Sequence, residues 1–184
     1  MGFRKYETSI PDLFLIEPDV FSDDRGFFME LFNDNSFEKI GLGHLRFLQD
    51  NLSSSQKGTL RGLHFQAPPF AQGKLVSVLE GAVLDVVVDI RKESPTYGKS
   101  YAVELNSQSR KMLFIPGGFA HGFQVLSESC LFFYKCTEVY HKNSEGGLAW
   151  NDPALEVAWR DIPPILSEKD RHHPKLSDFQ SPFV

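Results

Sequence analysis

At 184 residues, with 41% hydrophobic and 23% charged residues, the chain has the length and balance of a single globular domain spanning 1–184 that buries a real core. Its 19 Lys and Arg against 24 Asp and Glu leave a formal charge of -5, and the basic residues are scattered singly, which argues against a nucleic-acid polymer as partner. No window approaches the roughly 18 apolar residues of a membrane helix, and the opening MGFRKYETSIPDLFLIEPDV lacks the apolar run of a signal peptide, so a cytoplasmic protein with no membrane partner is expected.

The N-terminal segment MGFRKYETSIPDLFLIE is interrupted by proline. Like the C-terminal DIPPILSEKDRHHPKLSDFQSPFV, it is expected to wrap a sheet core or to contact a second subunit. The best helical stretch is DNSFEKIGL, with Asn35 or Ser36 as cap and Gly41 or Gly43 as stop. In KLVSVLEGAVLDVVVDIR, Val83, Asp85, Val87 and Asp89 alternate with Leu84, Val86, Val88 and Ile90, the period of a half-buried strand. SYAVELN, KMLFIP, HGFQVL and CLFFYKCTEVY are further strands, punctuated by Gly, Pro, Asn and Ser at the short intervals of a sandwich, jelly roll or barrel. The fold class is therefore all-β with a few short helices. Cys130 and Cys136 fall six apart on one predicted strand, about 20 Å at ~3.3 Å per residue, too far to pair with each other.

Several polar residues sit where burial would not favour them. GTLRGLHFQ sets Arg61 and His64 in a run of glycine, leucine and phenylalanine. FAQGKL brings Lys74 just before the alternating strand, and PGGFAHGF brings His121. In CLFFYKCTEVY the strand period puts Tyr134 on the face of Cys130, Phe132 and Cys136. If that face is the inner one, the phenol points into the barrel, and the strand alone leaves open a core tyrosine with its hydroxyl on a backbone partner. The set His64, Lys74, His121 and Tyr134 carries more than any member, because an unpaired polar group inside an apolar β segment is costly.

The spacing PGGFAHG matches the second motif of the cupin jelly rolls, many of which hold a metal. A metal-binding cupin supplies a His-x-His pair with a carboxylate shortly after. Here Gln66 follows His64, no acid intervenes before Lys74, and an ammonium repels a divalent cation. No catalytic metal is expected.

DDRGFFMELF, QDNLSSSQKGTLRGLHFQAPPFAQGKLVSV, VVDIRKESPTYGK, FIPGGFAHGFQVLSE, YKCTEVY, EGGLAWNDP and LSEKD, in that order across residues 23 to 170, closely resemble the dTDP-4-dehydrorhamnose 3,5-epimerase family. The resemblance implies a cupin-type jelly roll, a homodimer, no cofactor and a dTDP-sugar substrate, dTDP-4-dehydro-6-deoxy-D-glucose. It assigns His64 as base with Asp170 as its carboxylate partner, Tyr134 as proton donor, and Lys74 and His121 as stabilisers of the enolate oxygen. It places Arg25, Glu30, Gln49, Asn51 and Arg61 at the nucleotide, and Glu145 and Lys169 near the substrate. The residue types suit this chemistry. An ordinary imidazole titrates near pH 6.5, and guanidinium forks match a diphosphate. One spacing is awkward, because Arg61 and His64 are an odd number of residues apart and a regular strand sends them to opposite faces. Either a bulge or twist at Gly62 or a nucleotide lying along the barrel rim reconciles them.

Overall fold

The structure, a computed structural model, describes residues 2–184. In chain order it contains β1 (Phe3–Glu7), β2 (Phe14–Pro18), β3 (Val20–Asp23), β4 (Gly26–Met29) and α1 (Asp34–Lys39). There follow β5 (Gln49–Gln56), β6 (Leu60–Gln66), β7 (Lys74–Glu80), β8 (Ala82–Asp89) and β9 (Ser100–Asn106), then β10 (Met112–Ile115), β11 (Phe119–Val125), β12 (Ser129–Cys136) and β13 (Glu145–Gly147). The order β1-β2-β10-β7-β12-β5 makes one antiparallel sheet, β13-β6-β11-β8-β9 a second, and β3-β4 a separate hairpin. Every strand that the alternation and turn residues predict is present.

The two sheets face each other across an apolar layer. Val76 and Val78 of β7, Leu113 and Ile115 of β10, and Cys130 and Phe132 of β12 meet Val83 and Val87 of β8, Leu105 of β9, and Phe119 and Phe123 of β11. The face of β12 carrying Cys130, Phe132 and Tyr134 is thus the inner one. Both cysteines are free, and burial pushes each thiol up to about 11.

Three local expectations need correction. KLVSVLEGAVLDVVVDIR is two strands, turned at Gly81, whose φ is +84° and where a Cβ would fall 2.2 Å from the Ser129 carbonyl oxygen. Nor is β8 half-buried. Its outer row, Leu84, Val86 and Val88, packs under the C-terminal segment, where Leu155, Trp159, Leu176, Phe179 and Phe183 cover it. At the helix, Asn33 rather than Asn35 or Ser36 is the cap. Its side chain accepts from the Ser36 amide, because only a residue ahead of the first helical turn can reach that free N–H. Gly41 at φ +80° follows the helix end, as expected of a stop. Of the two chain ends, the C-terminal one wraps the core, whereas the N-terminal one forms the β1-β2 edge of the larger sheet.

Candidate active site

The bulge at Gly62 decides the geometry of RGLHFQ. His121 of β11 stands opposite His64, but Phe123 stands opposite Arg61, so Gly62 and Leu63 together face Gly122. Two residues against one turns Arg61 and His64 to the same, inner side, while Leu63 joins the outer apolar cluster. The backbones approach so closely that a Cβ on Gly62 would lie 2.6 Å from the Gly122 Cα, and φ at Gly62 is +120°. Gly62→Ala should therefore cost roughly 1–3 kcal/mol or more in stability. It should also lower kcat/KM by up to about 10²-fold through misplaced side chains. A melting curve and steady-state rates check this, and an unchanged rate would mean that the bulge does not set the site.

His64 Nε2 meets Asp170 Oδ1 at 2.5 Å, across 106 residues of sequence. The carboxylate reaches it because residues 165–171 strap back onto β6. The Leu60 amide donates to the Ile165 carbonyl, and the Ser167 hydroxyl donates to Asp170 Oδ2 at 2.7 Å. Asp170 is buried. Burial alone would raise its carboxyl, but hydrogen bonds from His64 and Ser167 outweigh this and hold it below the ordinary carboxylate range. The bond through Nε2 leaves Nδ1 of His64 as the nitrogen able to accept a proton.

A second imidazole–carboxylate pair lies beside the first. His121 Nε2 stands 3.0 and 3.1 Å from the two oxygens of Asp85, which is completely buried on β8. Burial pushes His121 below the ordinary imidazole range, Lys74 and His64 add to this, and Asp85 opposes it. Lys74, at the start of β7, stands opposite Cys136 and Ile115. Burial pushes its ammonium down, with Cys136, Asp85 and Glu145 partly restoring it. Tyr134, on β12, packs against Phe132 with ring centroids 6.0 Å apart. Burial raises its phenol, and Arg61 pulls the other way.

Arg61, His64, Lys74, His121, Tyr134 and Asp170 line one cavity of about 240 Å³, floored by Phe123 and Phe132. His64 and His121 come from one sheet and Lys74 and Tyr134 from the other, so the two histidines face the lysine and the phenol across it. The Arg61 guanidinium is held by Ser55 Oγ, 3.2 Å from both Nε and Nη2.

The remaining expected residues are distributed differently. Gln49 and Asn51 share the inner row of β5 with Ser53 and Ser55; Gln49 donates to Asn51 at 2.8 Å, and Asn51 pairs with Tyr134. Glu145 and Lys169 form an ion pair, and the Tyr140 hydroxyl donates to the same carboxylate at 3.0 Å. Burial would raise Glu145, but these partners hold it low. Arg25 and Glu30 are not brought to the cavity within this chain. Arg25 sits 90% exposed at the tip of the β3-β4 hairpin, paired with Asp23, and Glu30 accepts from Asn33. Three residues were missed. Asp85 was on the alternating strand but not singled out, Ser167 lay inside LSEKD, and His173 gave no signal.

Residues 7–178 match the family model described as dTDP-4-dehydrorhamnose 3,5-epimerase. The chain belongs to this family. It is similar to the dTDP-4-dehydrorhamnose 3,5-epimerase of Shigella flexneri, 49% identical over 172 residues, covering 94% of this chain and 95% of that one. Among solved structures, dTDP-6-deoxy-D-glucose-3,5-epimerase from Legionella pneumophila, in complex with dTDP-4-keto-L-rhamnose, superposes with a TM-score of 0.92. It is 46% identical and covers 97% of this chain and 95% of its own. A 3'-monoepimerase from Streptomyces bikiniensis, in complex with dTDP-quinovose, superposes with a TM-score of 0.89 at 34% identity, covering 94% and 87%.

The buried histidines predict a pH dependence of stability. Burial pushes both His121 and His173 down, so below about pH 6.5 the unfolded chain binds more protons than the folded one. Their contribution is complete above that pH and is lost as pH falls toward the lower native values. Asp170, held low, loses its contribution only further down, in the carboxylate range. Thermal melts should show a midpoint at least about 2–4 °C lower at pH 5 than at pH 7.5. His121→Gln should flatten the difference, and a midpoint independent of pH over this window would contradict it.

Proposed function

We propose that this chain is an isomerase that inverts C3 and C5 of dTDP-4-dehydro-6-deoxy-D-glucose to give dTDP-4-dehydro-L-rhamnose, without a cofactor. The observation that carries the reading is the placement of a His64–Asp170 base and a Tyr134 phenol on opposite walls of one small cavity, with a half-buried lysine and a buried histidine beside them. The C4 ketone acidifies the hydrogens on C3 and C5. His64 Nδ1 takes one of them, and Asp170 stabilises the imidazolium that results. The charge passes to the C4 oxygen as an enolate, where the partly desolvated Lys74 ammonium and the Asp85-held His121 ring stabilise it. Tyr134, kept protonated by burial, delivers a proton to the opposite face of the carbon. Solvent then restores both groups, and the same pair acts at the second carbon on the other side of the ketone.

A cavity of about 240 Å³ is smaller than the roughly 300–1,000 Å³ of sites that enclose a whole drug-sized ligand, so it suits the sugar and leaves the nucleotide outside. We assign Arg61 and Ser53, which line the cavity, the rest of the inner row of β5, and Glu145 with Lys169 to the nucleotide side. Arg25 and Glu30 complete the nucleotide site if a second copy supplies them. The hairpin that carries Arg25 exposes Phe21, Phe27 and Phe28, each at least 50%, as an arm in a homodimer would before it meets its partner. A cytoplasmic setting agrees with the two free thiols.

The Streptomyces 3'-monoepimerase shares the fold, so the superposition alone does not separate double from single inversion. Incubation of the chelator-treated protein with dTDP-4-dehydro-6-deoxy-D-glucose, followed by a dTDP-4-dehydrorhamnose reductase, should yield dTDP-L-rhamnose. A product inverted at one carbon only would favour the monoepimerase reading.

A further inference from the structure

Among the described residues, His64, Asp170 and His173 form the one cluster of three His, Cys, Asp or Glu side chains whose ligand atoms all lie within 4.8 Å of one another. Epimerisation gives His173 no task. Its side chain is 11% exposed, and its Nε2 is buried without a hydrogen-bond partner, 3.8 Å from Asp170 Oδ1. Its ring stands edge-on to His64 with centroids 5.4 Å apart. The backbone makes room for it at Gly147, where a Cβ would lie 2.6 Å from that same Nε2. A buried imidazole nitrogen with no partner costs about 1–3 kcal/mol, so its position asks for a ligand.

Two imidazole nitrogens and one carboxylate oxygen are a donor set that Zn²⁺ accepts, with a water completing a tetrahedron. Bond lengths of about 2.0–2.2 Å place tetrahedral donors roughly 3.5 Å apart. The His173–Asp170 separation is already close to this, and the 2.5 Å His64–Asp170 contact needs to open by about 1 Å. The local charge permits a cation. Lys169 is already paired with Glu145, which leaves the Asp170 carboxylate in excess. Lys74 and Arg61 line the same cavity and oppose the ion, so the Asp170 carboxylate and the two imidazoles must outweigh them.

We propose that His64, Asp170 and His173 bind a divalent transition-metal ion of the zinc type, and that the bound ion holds the enzyme inactive. The ion takes the lone pair of His64 Nε2. The single proton of the neutral ring then resides on Nδ1, which has no lone pair left for the proton of the substrate. The inhibition rests on His64 being the base, whereas the binding does not.

The test begins with tag-free protein stripped with EDTA and desalted, titrated calorimetrically with ZnCl₂ alone. One ion per chain is expected, with affinity at least about 10-fold weaker in His173→Phe, and in His173→Ala should the larger ring not fit against Gly147. His172→Ala, which alters an exposed neighbour paired with Glu168, should leave binding intact. In rate assays Zn²⁺ should stop the wild-type protein reversibly, with EDTA restoring it. The His173 variants should turn over without metal and resist zinc to the same extent that they bind it less. Absence of binding, equal binding by wild type and both His173 variants, or binding without inhibition of an active protein would each overturn the proposal. If the metal-free protein catalyses no epimerisation, the titration still reads the site, and the failure then belongs to the function.

Discussion

His64→Ala is expected to lose about 10²- to 10⁴-fold in kcat, the contribution of a positioned general base, while its affinity for dTDP stays at the wild-type level. The two effects should separate because the proposed mechanism has His64 act on the sugar and Arg61 on the diphosphate. The variant should fold, since the His64 ring is part-exposed to the cavity and its removal unburdens Asp170 of a single partner while Ser167 keeps its own. Arg61→Ala should behave in the reverse sense. Loss of a charge-assisted contact of about 1.5–3 kcal/mol weakens dTDP binding by roughly 10- to 100-fold, with a smaller effect on the chemical step. Steady-state kinetics and calorimetric dTDP titrations of the two variants check the pair. Equal losses of dTDP affinity would show that the roles are misassigned.

Tyr134→Phe should lose inversion by a comparable factor of about 10² to 10⁴ and keep proton exchange. Among the described residues the phenol hydroxyl has no hydrogen-bond partner, and the ring packs against Phe132 with centroids 6.0 Å apart, so phenylalanine should preserve the fold. What disappears is the proton source on the wall opposite His64. The enolate still forms, but His64 returns a proton to the face from which one was taken. In deuterated water the variant should therefore take up label at a carbon whose configuration is retained, with C5 most affected, because the family resemblance puts the tyrosine nearest that centre. Proton NMR of the recovered sugar nucleotide distinguishes label with retention from label with inversion. Full inversion at both carbons would return Tyr134 to the role of a core tyrosine.

How legible these residues were depended on the range over which each signal acts. Period-2 alternation and turn residues located β7, β8, β11 and β12 around the cavity, because both signals are local, but not β5, whose polar run QDNLSSSQ has no apolar alternation. Polar residues inside apolar runs drew attention to His64, Lys74, His121 and Tyr134 for the same reason. Asp170 came only from resemblance, since nothing local in LSEKD announces that a strap returns it to His64 from 106 residues away. Asp85 and Asp89 looked alike on the alternating strand. Only the fold separates them, one holding His121 and the other bonded to Arg91, Ser94 and Thr96 in a turn. The odd spacing of Arg61 and His64 pointed to Gly62 without deciding between a bulge and a rim-lying ligand, because that choice depends on how β6 registers with β11. The burial of both faces of β8 was likewise hidden, as the covering segment is Pro-rich and carries no strand or helix period. Arg25 and Glu30 lie where one chain cannot use them, so their assignment depends on a second copy.

Action of one base and one acid, facing each other across a single ketone site, at both neighbouring carbons is the proposed mechanism. It is tested most directly by following the ring protons of dTDP-4-dehydro-6-deoxy-D-glucose by NMR, with catalytic amounts of the chelator-treated protein in deuterated water. Deuterium is expected at C3 and at C5, each accompanied by inversion. Label confined to one of the two carbons, or no label at either, would contradict it.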